Sequence, residues 1–270
     1  MRFFKRRPDP IDRDDAAAFL EFAKAVLPSS YSQRFQDLFG LWEAGFARDG
    51  YFVEFGALNG RDFSNSFLME KVGWQGVVAE PHPDYERQIR KHRSCYVSTK
   101  CVFDTTGDTV TFHAVKGRPA LSTIGGFGTT DPRAQLRETF VEHQVETITL
   151  TDLLDEAGAP QVIDFLSIDT EGSEPQILRA FDFDRYPIRA ISVEHNDHQR
   201  DELYELLTGK GYRRKWPEIS GHDDWYVHTD LELGPRDPRE RDALVSAAAE
   251  VEPFDRDLEL RSELLGSLRG

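Results

Sequence analysis

The chain has 270 residues, 39% of them hydrophobic and 19 of them Phe, enough to bury the core of one large α/β domain with additions or of two small ones. Its net charge of −15 excludes a mainly electrostatic grip on nucleic acid, which needs clustered Lys and Arg against phosphate, and argues against adsorption to an anionic membrane surface. No apolar run approaches the ~18 residues of a membrane span, and the basic opening MRFFKRRPDP leads into no apolar stretch, so it does not read as a secretory leader. The two cysteines, Cys95 and Cys101, read as reduced thiols, which suits the cytoplasm.

Residues 1–30 read as a peripheral segment, with a short helix from Asp15 to Leu27 closed by Pro28. Phe35, Leu38, Phe39, Trp42 and Phe46 recur near helical spacing and predict a helix over Gln33–Arg48. Asp49-Gly50 turns the chain into a strand at Tyr51–Phe55. A glycine turn follows, then a helix capped by Ser64 or Asn65 that reaches Val72, then a strand over Gly76–Glu80. A helix near Pro83–His92 leads to a third strand near Cys95–Thr99. Cys101–Phe103 and Thr109–Val115 flank the turn DTTGD, and residues 116–133, rich in Gly, Thr and Pro, read as a long loop. Gln144–Leu150 alternates as a strand, and Thr151 can cap a helix over Asp152–Ala157. Phe165–Asp169 is a buried strand, Ser173 opens a helix, Ala190–Glu194 is another strand, and Glu202–Leu207 is helical. Tyr212–Trp216 and Asp224–His228 suit an antiparallel pair at the sheet's end. The basic run Arg213-Arg214-Lys215 reads as a solvated turn. From residue 231 the chain is a charged tail of one or two helices on the periphery.

Alternating strands and helices predict a mostly parallel sheet covered on both faces, with ligands bound beyond the carboxyl ends of the strands. That places Glu54–Gly60, Glu80, Asp169–Glu171 and Glu194–Asn196 around one crevice. Gly56 and Gly60 would admit a ligand to the turn, and Glu54 would face it. Glu80, 20 residues after Gly60, suits ribose hydroxyls. Leu58 stands where G-x-G-x-x-G needs glycine, and no phosphate loop occurs, so neither pyrophosphate nor a nucleoside triphosphate is the expected ligand. Asp169, Glu171 and Glu174 crowd three carboxylates just past a strand, which calls for a cationic partner or helix-start amides. Glu174 reads as serving the helix start. Asp169, Glu194 and His195 offer oxygen and nitrogen ligands to a divalent cation such as Mg, and His195 suits a general base.

The segments SQRFQDLF, YFVEFGALNG, SNSFLMEKVGWQGVVAEPHP, TITLTDLL, FLSIDTEGSEPQIL and ISVEHN, in this order, resemble the FkbM family of S-adenosylmethionine-dependent methyltransferases over roughly Ser32–Val227. The resemblance implies a Rossmann-like class I methyltransferase fold, a seven-stranded mostly parallel sheet with its last strand antiparallel. Residues 31–230 would form that domain. It implies O-methylation of a small-molecule or carbohydrate acceptor. It makes Glu54, Gly56, Ala57, Asn59 and Gly60 the turn around the cofactor's methionine part, with Ser64 and Asn65 beside it. Glu80 would hold the ribose, followed by Pro81. Cys101 would lie near the adenine, and Asp169, Glu171 and Gly172 at the junction of cofactor and acceptor. Asp169, Glu171 and His195 are the expected catalytic residues. A homodimer is compatible with this reading. The alternatives are a binding protein on the same fold and a nucleotide-linked oxidoreductase, against which the missing G-x-G-x-x-G counts.

Overall fold

The computed structural model of the chain describes residues 13–129, 133–196, 199–231, 236–255, 261–263 and 266. The central sheet contains β1 (Tyr51–Phe55), β2 (Gln75–Ala79), β3 (Tyr96–Ser98), β8 (Ile163–Ile168), β9 (Ile188–Glu194), β10 (Tyr212–Lys215) and β11 (Asp223–His228). Their order across the sheet is β10-β11-β9-β8-β1-β2-β3. The pairings among β9, β8, β1, β2 and β3 are parallel, and β11 runs antiparallel to both β9 and β10. The sheet is therefore mixed, with β11 as its reversed strand.

Alternation along the strands sends side chains to two faces. Phe52, Val78, Phe165 and Trp225 face one way, into a core with α1 (Arg13–Val26), α2 (Gln36–Glu43) and α3 (Phe67–Lys71). Val53, Val77, Leu166 and Ile191 face the other, into a core with α5 (Leu150–Ala157), α6 (Glu174–Ala180) and α7 (Arg200–Gly209). Between β2 and β3 lies α4 (Glu86–His92), whose Ile89 is fully buried.

A second, four-stranded sheet is made of β4 (Cys101–Phe103), β5 (Thr109–Val115), β6 (Thr123–Ile124) and β7 (Phe140–Thr149), in the order β4-β7-β5-β6. The strands flanking DTTGD are thus not partners. The ten-residue β7 lies between them and pairs with β5 from Thr109↔Glu146 to Val115↔Phe140, longer than its alternating sequence suggested. Residues 116–129 are not a plain loop either, since β6 pairs with β5 there.

Several expectations shift. Phe35 sits at φ 68, a left-handed conformation that stops helix propagation, so α2 starts at Gln36. Thr149, not Thr151, caps α5: its Oγ1 accepts from the N–H of Asp152. The basic run is no solvated turn. The Lys215 side chain is 3% exposed and pairs with Glu43 and Asp15, while Arg214 pairs with Asp224. The outer segments also join the core. Phe19 of α1 stacks on Trp216 at 4.9 Å and meets Trp225 edge-on. In the tail, α9 (Pro238–Ala249) buries Leu244 and Ala248 in the same cluster, and Phe254 stacks on Tyr31. The charge of the tail hid this narrow apolar stripe. Among the described residues no helix is long and apolar enough to cross a membrane, and Cys95 and Cys101 are free thiols.

Candidate active site

Strand register builds the site. Phe55 pairs with Ala79 on one side and Ile168 on the other, and Ile168 pairs with Val193. The next residues, Glu80, Gly56, Asp169 and Glu194, therefore form one row beyond the carboxyl ends of β2, β1, β8 and β9. Asp223 of β11 pairs with Glu194 and extends it. Gly56 is the tight point. Its φ is 84, and a Cβ there would lie 1.8 Å from the carbonyl oxygen of Asp169, so no side chain fits.

A cleft opens over the left half of this row. It is lined by Glu54, Gly56, Leu58, Asn65, Glu80, Pro81, Cys101 and Asp169, with apolar walls from Val102, Phe112 and Ile124 of the second sheet. Glu80 is buried. Its Oε2 accepts from the N–H of Leu58 and its Oε1 from that of His82, both at 2.9 Å. Burial pushes its carboxyl up to about 7, helped by the charge of Glu54 and opposed by the two N–H donors. Burial likewise holds Cys101 as a thiol, pushed up to about 12.

Several expected residues act within the turn itself. Glu54 does not face the cleft as a free acceptor: Ser64 Oγ donates to it at 2.7 Å, the N–H of Asn65 at 2.6 Å, and Ser66 Oγ also donates. Asn59 closes a local turn, its Oδ1 accepting from the N–H groups of Arg61 and Asp62. Ala57, Asn59, Gly60 and Ser64 are not among the residues lining the cleft. Asn65 does line it. Its Nδ2 donates to Ser167 Oγ at 2.9 Å, while its buried Oδ1 has no partner. Arg93, which no motif singles out, has its side chain fully buried under the turn. It donates to Glu70 at 2.6 Å, to Gly60 O at 3.2 Å and to Ser64 and Ser66, with Glu54 at 3.5 Å.

The right half of the row is acidic. Ligand oxygens of Asp169, Glu171 and Glu194 lie within 4.8 Å of one another. Arg133 approaches Glu171 at 3.4 Å and Glu194 at 3.1 Å, and Arg137 pairs closely with Glu171. Burial and the neighbouring Glu194 and Glu171 raise Asp169 well above the usual carboxylate range. Burial and the charge of Glu171 push Glu194 up to about 8. Glu171 sits at φ 58 and is raised by burial, with the two arginines opposing. His195 is not the third member of this cluster. It follows Glu194 just past the end of β9, and its Nε2 lies 3.6 Å from Asp224 Oδ1. It lines an outer cleft with Glu171, Glu174, Glu194 and Gln199.

Residues 54–214, more than half of the chain, match the family described as the Methyltransferase FkbM domain. The chain belongs to the FkbM methyltransferase family. The match begins at Glu54, the carboxylate that holds the turn together, and takes in the row Glu80–Gly56–Asp169–Glu194. Comparison with curated proteins finds no match.

Proposed function

We propose that the protein transfers a methyl group from S-adenosylmethionine to a hydroxyl oxygen of a small acceptor, a sugar, glycan or secondary metabolite, on a Rossmann-like class I methyltransferase sheet. The observation that carries this reading is the row Glu80–Gly56–Asp169–Glu194 in a domain of the FkbM family. The residues fit the cofactor. The carboxylate of Glu80, holding one N–H on each oxygen, keeps lone pairs for two ribose hydroxyls. The unpartnered Asn65 Oδ1 supplies an acceptor for an ammonium group. Val102, Phe112 and Ile124 offer apolar walls to a flat base, and the thiol of Cys101 adds no charge there.

Bound there, S-adenosylmethionine supplies an electrophilic methyl group on a sulfonium. The chain has to hold the acceptor oxygen in line with that methyl, an effect worth ~7–11 kcal/mol, and take the hydroxyl proton. Asp169 and Glu194 hydrogen-bond to one another and both titrate high, so a carboxylate of the pair free to take the hydroxyl proton forms as pH rises towards about 8. Glu171 orients the pair through Arg133. His195, in the outer cleft, is a second candidate for the base. Arg133 and Arg137 already neutralise much of the cluster, which favours proton transfer over a divalent cation such as Mg at Asp169, Glu171 and Glu194.

The test is calorimetry with S-adenosylmethionine, S-adenosylhomocysteine and NAD, followed by incubation with methyl-labelled cofactor and a cell extract. Binding of the first two and label in a small hydroxylated product are expected. NAD binding alone would overturn the reading. Asp169→Asn losing label transfer while His195→Ala keeps it would assign the base to the carboxylate pair.

A further inference from the structure

A second cavity continues the row past Asp169, away from Glu80. It shares Gln33, Gln36, Phe63 and Asp169 with the cofactor cleft, so the two are contiguous, and it holds Glu194 as well. Arg133, which pairs with Glu171 and Glu194, lines it too. Gln33, Arg34, Gln36, His222, Asp223 and Arg261 all fall outside residues 54–214. The cofactor cleft takes only Gln33 and Gln36 from outside that stretch. The donor side is built almost wholly from the matched residues 54–214, and the far side mostly from segments outside them.

The flanks are fastened to one another at this point. Arg261 is 3% exposed. Its Nη1 donates to the carbonyls of Ser30 at 2.7 Å and Ser32 at 3.2 Å, and its Nη2 to that of Phe254 at 2.8 Å. From the opposite side, the buried carboxylate of Asp37 accepts from the hydroxyls of Ser30 and Ser32 and from the N–H of Tyr31. The segment that ends in Gln33 and Arg34 is therefore gripped between α2 and the C-terminal tail. Gln36 then donates to Asp223 Oδ2 at 2.7 Å, which ties the segment to β11. A buried guanidinium spent on backbone carbonyls of a segment some 230 residues away fixes geometry more than it adds net stability.

The geometry points to an acceptor-recognition wall made mainly by segments outside the matched residues 54–214, with Arg261 as the residue that positions it. This rests on the methyl-transfer reading above, which makes Asp169 and Glu194 the reacting end of the cavity. Side chains on the wall then set which acceptor is used, while cofactor affinity stays with the domain.

Arg34→Ala, His222→Ala, Arg261→Ala and Arg261→Lys separate these roles. Calorimetry with S-adenosylhomocysteine should give affinities within about twofold of the parent for Arg34→Ala and His222→Ala. Label transfer from methyl-labelled S-adenosylmethionine to cell-extract acceptors should fall tenfold or more in both. Hydrogen exchange at residues 30–36 should speed up in Arg261→Ala and return towards the parent rate in Arg261→Lys, which keeps a donor. Label transfer at the parent rate in Arg34→Ala and His222→Ala would overturn the inference, as would cofactor affinity falling in step with transfer. Unchanged exchange at residues 30–36 in Arg261→Ala would remove Arg261 from it. A parent protein that binds no S-adenosylhomocysteine would instead sink the methyl-transfer reading.

Discussion

The backbone N–H of Leu58 donates to Glu80 Oε2 at 2.9 Å, so the turn after β1 and the carboxylate after β2 are one unit. Leu58 stands at φ 51, a strained position for a side chain. Its N–H is thereby aimed at the carboxylate that would hold the ribose.

Because burial pushes Glu80 up to about 7, part of the protein carries it protonated at neutral pH. Only the carboxylate accepts from two hydroxyls. Affinity for S-adenosylhomocysteine should therefore rise as pH climbs through about 7 and level off above it. Glu80→Gln should bind roughly 10–100-fold more weakly, the loss of charge-assisted hydrogen bonds, and its profile should be flat in this window. Calorimetry from pH 5.5 to 8.5 checks both; a parent profile as flat as the variant's would count against the ribose role.

Gly56→Ala places a methyl group into the Asp169 carbonyl at a positive φ. Strain of this kind costs about 1–3 kcal/mol, and relief would pull β1 from β8 at the site itself. Urea denaturation should show the loss, and cofactor binding should go with it. An alanine variant as stable as the parent would mean that the row is looser than the register implies.

Stability should depend on pH with a definite sign. Glu194 keeps its proton up to about 8 in the folded chain, and Asp169 is raised well above its usual range. An unfolded carboxylate releases its proton near ~4. Between those limits the folded form holds more protons, so stability should fall as pH rises from about 4.5 to 8. Glu80 acts in the same direction up to about 7. Glu70 acts oppositely: burial raises it, but Arg93 and the Ser94 donors outweigh this and bring it to about 2. Its support is complete above about 4.5 and fades in acid. Scanning calorimetry should give Glu194→Gln a shallower fall in Tm between pH 5 and 8.

Arg93→Met should be the most damaging single change in the turn. It leaves Glu54 and Glu70 buried without their cation, a loss of about 3–5 kcal/mol for a broken buried pair. Arg93→Lys should recover little, since one ammonium cannot reach Glu70, Gly60 O and two serine hydroxyls together. Chemical denaturation of the three proteins decides it.

Local pattern was enough for β1, where YFVEF lies between Asp49-Gly50 and a glycine turn, and for the carboxylates at the strand ends. What required three dimensions stayed hidden. Glu54 looked available because its donors lie 10 to 12 residues away, on a turn whose shape only the fold reveals. Arg93 sits in KHRSC, which reads as a basic helix end, while its partner Glu70 lies 23 residues upstream. His195 follows Glu194 in sequence, yet just past the end of β9 it turns towards Asp224. The partner of β5 follows it at a distance, and alternation alone names no partner.

The aromatic joint of Phe19 with Trp216 and Trp225, roofed by Leu244 of α9, has a consequence for synthesis. Helix α1 is made long before the last of its cover. At roughly 5–20 residues per second, the apolar stripe of α1 waits on the order of 10–45 s for its C-terminal cover. A chain halted before α9 would already hold Trp42, Trp216 and Trp225 but would lack the cover of Leu244 and Ala248.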